Sequence, residues 1–118
     1  MEGDLYCKVY IYSGTEGSDL LAFIAEVVKG NVSLRTVEND LLEATLFKND
    51  DYDEGKSVDF DGFVFFPYYL EIEPVDESDV TSEKYKDLIG NLLEALWGAG
   101  LGAVAACDFE DELPKKIA

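Results

Sequence analysis

Carboxylates are the groups with which this chain could do chemistry. Asp50, Asp51, Asp53, Glu54, Asp59 and Asp61 crowd one stretch in which Lys56 is the single cation. That is a supply of hard oxygen ligands suited to calcium, whose EF-hand loop needs D-x-[DN]-x-[DN]-G and a glutamate six residues after the glycine. Asp51, Asp53 and Gly55 approach the pattern, but the glycine comes one residue early and position 61 holds Asp61. Asp59, Asp61 and Gly62 miss the spacing as well. The expectation is a solvated acidic loop, with no metal site and no cofactor.

Catalysis fares no better. The chain has no histidine, which removes Ser-His and Cys-His nucleophiles, imidazole acid–base chemistry and histidine metal ligands together. Two carboxylates can divide acid and base roles only where burial drives their pKa values apart, and nearly all the acids here fall in hydrophilic segments. The glycines at 14, 17, 98, 100 and 102 lack the lysine of a phosphate-binding loop, and Glu16 would oppose an anion. No catalytic residue is nominated, and the chain is expected not to be an enzyme.

The elements that must position these acids follow from hydrophobic period. Positions 5–12 alternate, with Leu5, Cys7, Val9 and Ile11 on one side and Tyr6, Lys8, Tyr10 and Tyr12 on the other, as a strand requires. After a glycine-containing loop, Ser18 or Asp19 can cap a helix whose Leu20, Leu21, Phe23, Ile24, Val27 and Val28 recur at three and four, with Gly30 as its stop. Strand character returns at 33–37 and, after a turn or bulge at 38–40, in the alternation of Leu42, Ala44 and Leu46. This reads as one strand, possibly interrupted, ending near Phe47. The densest apolar run, 63–73, is the next strand. Its even positions, Val64, Phe66, Tyr68, Leu70 and Ile72, face a core, and Phe63, Phe65, Tyr69, Glu71 and Glu73 face outward. A second helix begins at Thr81 or Ser82 and carries the stripe Tyr85, Leu88, Ile89, Leu92, Leu93, Leu96 and Trp97, with Gly90, Asn91 and Glu94 opposite. A short strand at 103–107 precedes a charged tail, 108–118.

The order βαββαβ in a single domain, 1–118, predicts an α+β, ferredoxin-like two-layer sandwich: an antiparallel sheet with two helices on one face. In its strand order 4-1-3-2 the run 63–73 sits beside 5–12. Pro67 opposes a central placement, because it has no N–H to give a ladder; a bulge, or a strand that starts only after Pro67, resolves the conflict. The same order brings Cys7 and Cys107 close together on the helix-covered face. They are expected to be reduced thiols that pack as small hydrophobes, a redox switch being the sharper alternative.

Charge bears most on function. Twenty-six acids against nine bases give a net charge of −17. Such an excess disfavours direct contact with nucleic acid or anionic lipid and favours a basic partner, unless it serves solubility alone. The amino terminus lacks the basic and apolar regions of a signal peptide, so a cytoplasmic protein is expected. The outward aromatics suggest a platform of the kind on which RNA-binding sheets stack bases, but its surround is acidic. Arginine and lysine side chains suit it better.

In size, acidity and absence of catalytic groups the chain resembles the small single-domain immunity proteins of bacterial toxin systems. The resemblance implies a bacterial cytoplasmic inhibitor held against a basic toxin, often a nuclease. Its partner-binding residues would be Asp50, Asp51, Tyr52, Asp53, Asp59 and Asp61 in the long loop, Tyr69, Glu71 and Glu73 on the sheet, and Asp108, Glu110, Asp111 and Glu112 in the tail, with Tyr52 and Tyr69 as anchors. Two other readings stay open. One is a DNA mimic whose carboxylates stand in for phosphates. The other is a small-ligand regulatory domain that works as a homodimer through the open sheet face.

Overall fold

Alternation at the amino terminus becomes strand β1, Cys7–Tyr12, in which Cys7, Val9 and Ile11 are wholly buried and Lys8, Tyr10 and Tyr12 lie half-buried on the other face. The structure, a computed structural model, describes residues 5–14, 16–49, 66–75, 82–107 and 109–114. After β1 come helix α1 (Gly17–Val28) and the strands β2 (Asn31–Ser33), β3 (Thr36–Glu38), β4 (Leu42–Lys48) and β5 (Tyr68–Pro74). Helix α2 (Ser82–Gly98), strand β6 (Gly102–Cys107) and a 3-10 turn at Glu110–Glu112 complete the elements of the described residues.

The strands form one antiparallel sheet of six, in the order β2-β3-β4-β5-β1-β6. The α+β class stands as expected. The strand count is corrected, because the stretch read as one interrupted strand folds into three. Its first turn, Leu34-Arg35, joins Ser33 to Thr36 with Leu34 at φ 57°. Two-residue hairpins favour glycine or asparagine where φ is positive, so a leucine there leaves no turn signal to read. The second turn is made by Asn39. Its side-chain oxygen accepts from the N–H groups of Leu41 (2.7 Å) and Leu42 (2.9 Å), and its amide donates to the Val28 carbonyl at 2.8 Å, tying the turn to the end of α1.

Strand β5 is paired on both sides, with β4 and with β1, so the central placement holds. It begins at Tyr68, after Pro67, so the missing N–H falls at the end of the ladder and not within it. The Pro67 carbonyl still accepts from the Asn49 N–H at 2.8 Å. Alternation does not run through the proline. Phe66 was expected in the core with Leu70, yet it packs on Tyr12, ring centroids 5.5 Å apart, on the opposite side of the sheet. Gly102 makes room there, since a Cβ on it would lie 3.1 Å from the Tyr12 Cβ and 3.4 Å from the Phe66 ring. Phe63, Val64 and Phe65 lie outside the described residues.

Both helices cover one sheet face. From α1, Leu20, Leu21, Ile24 and Val28 meet Tyr85, Ile89, Leu92, Leu93 and Leu96 of α2 and the inward strand residues in one core. Each fully buried side chain of this size stabilises the fold by roughly 1.5–3 kcal/mol. Helix α1 starts earlier than its expected caps: Glu16 is the N-cap without a side-chain bond, and Ser18 and Asp19 fall in the first turn. Its end is turned by Lys29 in the left-handed region, followed by the Gly30 N–H bonding to the Ala25 carbonyl at 2.9 Å. The segment expected as a charged tail docks in part. Phe109 and Leu113 are buried, and Pro114 seats on Gly90, where a Cβ would come within 3.0 Å of its ring. Gly90 is therefore a packing site, not part of a solvent face.

Candidate functional site

Period-two alternation gives the uncovered sheet face its composition, and register arranges it in rows. The first row crosses the sheet as Phe47–Tyr69–Tyr10–Val104, each a cross-strand partner of the next. Phe47 and Tyr69 stack with centroids 5.1 Å apart and planes 21° from parallel, and Tyr69 meets Tyr10 at 6.2 Å. The next row is Thr36–Thr45–Glu71–Lys8, with the threonine hydroxyl oxygens 3.0 Å apart. Beyond it stands Glu38–Glu43–Glu73, three exposed carboxylates in direct register on β3, β4 and β5.

Lys8 is, among the described residues, the cation on this face. It turns to the rings: its Nζ lies 4.2 Å from the Tyr69 centroid and 5.0 Å from that of Tyr10. An ammonium over a tyrosine face is held by the ring quadrupole, so the aromatic row already hosts a cation beside its two tyrosines. Tyr6, on the same polar phase of the chain, feels the acids. Burial first, then the charges of Glu71 and Glu73, push its phenol up to about 12. A phenolate beside carboxylates is disfavoured twice, by lost solvation and by like charge.

Of the residues expected to bind a partner, the structure brings Tyr69, Glu71 and Glu73 together on β5. Glu110, Asp111 and Glu112 belong to the 3-10 turn on the helix side. There Phe109 packs edge-on to Tyr85 at 6.1 Å and Glu112 pairs with Lys86 of α2 at 3.0 Å. That turn does not join the sheet face, and Glu112 already has a cation. Asp50, Asp51, Tyr52, Asp53, Asp59, Asp61 and Asp108 lie outside the described residues, as does the near-match to a calcium loop.

Sequence reasoning missed Glu38, Glu43, Phe47 and the seat of Lys8. Glu43 and Phe47 were visible as the outward phase of a strand, but only register aligns them with Glu73 and Tyr69. The carboxylate row is spread across strands about 4.8 Å apart and does not converge. Among the described residues no group of three or more potential ligands could hold a metal ion. No helix among them is long and apolar enough to cross a membrane. A cleft of about 260 Å³ lies at the other end of the sheet, where Leu21, Leu34, Leu46 and Tyr68 meet Arg35 and Lys48. No protein-family model, curated protein or solved structure matches the chain.

Proposed function

We propose that this chain is a non-catalytic acidic binding protein that neutralises a basic partner, as the immunity proteins it resembles neutralise toxins such as nucleases. The supporting observation is the register of Glu38, Glu43 and Glu73 beside the Phe47–Tyr69–Tyr10 row. Like charges placed directly opposite destabilise a sheet, and a cation supplied from outside removes that cost. The seat of Lys8 over Tyr69 models, within the chain, how a partner's lysine or arginine would rest on such rings. Charge of this density also steers a basic partner into encounter. The fold reading that goes with it is a ferredoxin-like unit, β4-β5-β1-β6 with both helices, extended by the β2–β3 hairpin at the β4 edge. The spatial order of those four strands supports it.

The test is affinity capture from bacterial extract with the natural chain and with Glu43→Lys/Glu73→Lys, followed by kinetics on the identified partner. A basic protein whose enzymatic activity is blocked at one-to-one stoichiometry is expected. Its association should slow on the order of tenfold or more between low and high salt, and the double charge reversal should release it. A partner that is not basic, or that binds the reversed variant equally well, overturns the proposal. Displacement of the partner by duplex DNA would favour the phosphate-mimic reading, and a salt-insensitive homodimer holding a small ligand would favour the regulatory one.

A further inference from the structure

Backbone hydrogen bonds fix how the two cysteines face each other. The Asn49 N–H donates to the Pro67 carbonyl at 2.8 Å and the Val75 N–H to the Leu41 carbonyl at 3.1 Å, bracketing the β4–β5 ladder. The Leu46 N–H turns the other way, to the Arg35 carbonyl at 2.9 Å. Hydrogen-bonded and non-hydrogen-bonded pairs alternate along an antiparallel ladder. Odd-numbered residues of β4 and β5 therefore bond to one another, and even-numbered residues of β5, Ile72 among them, bond to β1. Ile72 is the partner of Cys7. The backbone of Cys7 is thus committed to β5 and turned away from β6, where its partner is Cys107. Cys7 and Cys107 are consequently a non-hydrogen-bonded pair, with Cα atoms about 4.5 Å apart and side chains on the same face. The Trp97 indole agrees, since it donates at 3.1 Å to the carbonyl of Ala103, which like Cys107 is an odd-numbered β6 residue whose backbone groups turn away from β1.

We propose that Cys7 and Cys107 are a reversible dithiol site, closed to a cross-strand disulfide by exchange with a low-molecular-weight disulfide such as oxidised glutathione. A Cα separation of about 4.5 Å lies inside the range disulfides adopt. Edge strand β6, held on one side, can adjust to bring the sulfur atoms into bonding distance. Exposure orders the steps. Cys7 is wholly buried and Cys107 only partly, so the Cys107 thiol loses its proton and attacks glutathione disulfide, forming a mixed disulfide and releasing one glutathione. The Cys7 thiol then loses its proton and attacks the Cys107 sulfur, and the second glutathione leaves. Two protein thiols are oxidised, one glutathione disulfide is reduced to two thiols, and the protons pass to these. The bond would tie residues 7 and 107, close to the two ends of the sequence, and fasten the outer strand to the centre of the sheet. This inference is independent of the binding role proposed for the opposite face.

Intact mass under non-reducing conditions tests it on the full chain treated with oxidised glutathione. The expected product is a monomer lighter by two hydrogens and carrying no glutathione, in which peptide mapping joins the segments holding Cys7 and Cys107. Its melting midpoint should rise on the order of 10 °C, because the closed loop spans most of the chain, and should fall back with reductant. Cys107→Ser should show neither change. A chain that stays a dithiol, stops as a glutathione adduct on Cys107 or links to a second copy overturns the proposal, and the natural chain alone decides between these outcomes.

Discussion

The Tyr85 hydroxyl donates to the Leu5 carbonyl at 2.6 Å, joining residues eighty positions apart, and reaches the Ile72 carbonyl at 3.2 Å. Helix α2 is thereby fixed to the start of β1 and to β5 by one wholly buried side chain. Tyr85→Phe keeps the packing and removes the donor. It is expected to destabilise the fold by about 1–2 kcal/mol, measured as a lower urea midpoint with an unchanged slope.

Tyr6 makes the fold sensitive to strong alkali. Its phenol is held neutral up to about 12 in the folded chain, against an ordinary value of 10.0. A raised pKa means that the folded state binds the proton more tightly. The contribution is therefore complete below pH 10 and is lost as pH climbs towards 12. Absorbance titration should show a late-ionising component that Tyr6→Phe removes. Glu71→Gln/Glu73→Gln should lower its pKa without restoring the ordinary value, because burial is the larger cause.

Relief of the carboxylate row should stabilise the free protein. Glu43 stands between Glu38 and Glu73, so Glu43→Thr removes two like-charge pairs and places a β-branched residue in a strand. A gain of about 0.5–1 kcal/mol is expected, shrinking as salt is added. If the sheet face is the binding surface, the same variant loses affinity for the partner. A melt and a binding titration on one sample separate the two effects.

Leu34 occupies the turn between β2 and β3 at φ 57° and is 94% exposed. It contributes almost no burial while holding a conformation that costs an L-residue about 1–2 kcal/mol. Leu34→Gly should raise stability by about 1 kcal/mol, read from the thermal midpoint. A loss of stability would mean that the leucine holds a contact the turn geometry conceals.

Much of this architecture was legible from period alone. The strand at Cys7–Tyr12 and both helices rest on local patterns, and local patterns survive folding; the closeness of Cys7 to Cys107 followed from the expected strand order, which sets the first strand beside the last. The β2–β3 hairpin was hidden because Leu34-Arg35 carries none of the residues that announce a turn. Phe66 was misplaced because two-residue alternation was extended across a proline at which the chain bends. Phe109 and Leu113 were masked by the acids around them, since composition averages over a segment while packing selects two side chains from it. The aligned row of Glu38, Glu43 and Glu73 could not be read at all from the linear order. It is a product of register between three strands, and register is settled by the inward residues Val37, Ala44 and Ile72, which are wholly buried.

Trp97 is the one tryptophan of the chain, and its indole N–H rests on the Ala103 carbonyl at the outer edge of β6. Intrinsic fluorescence therefore reports from a single seam, between α2 and the last strand. Fraying of that strand would wet the indole and shift its emission to the red while far-ultraviolet circular dichroism still read an intact fold. The molecule carries its own optical gauge of how firmly its final strand is held.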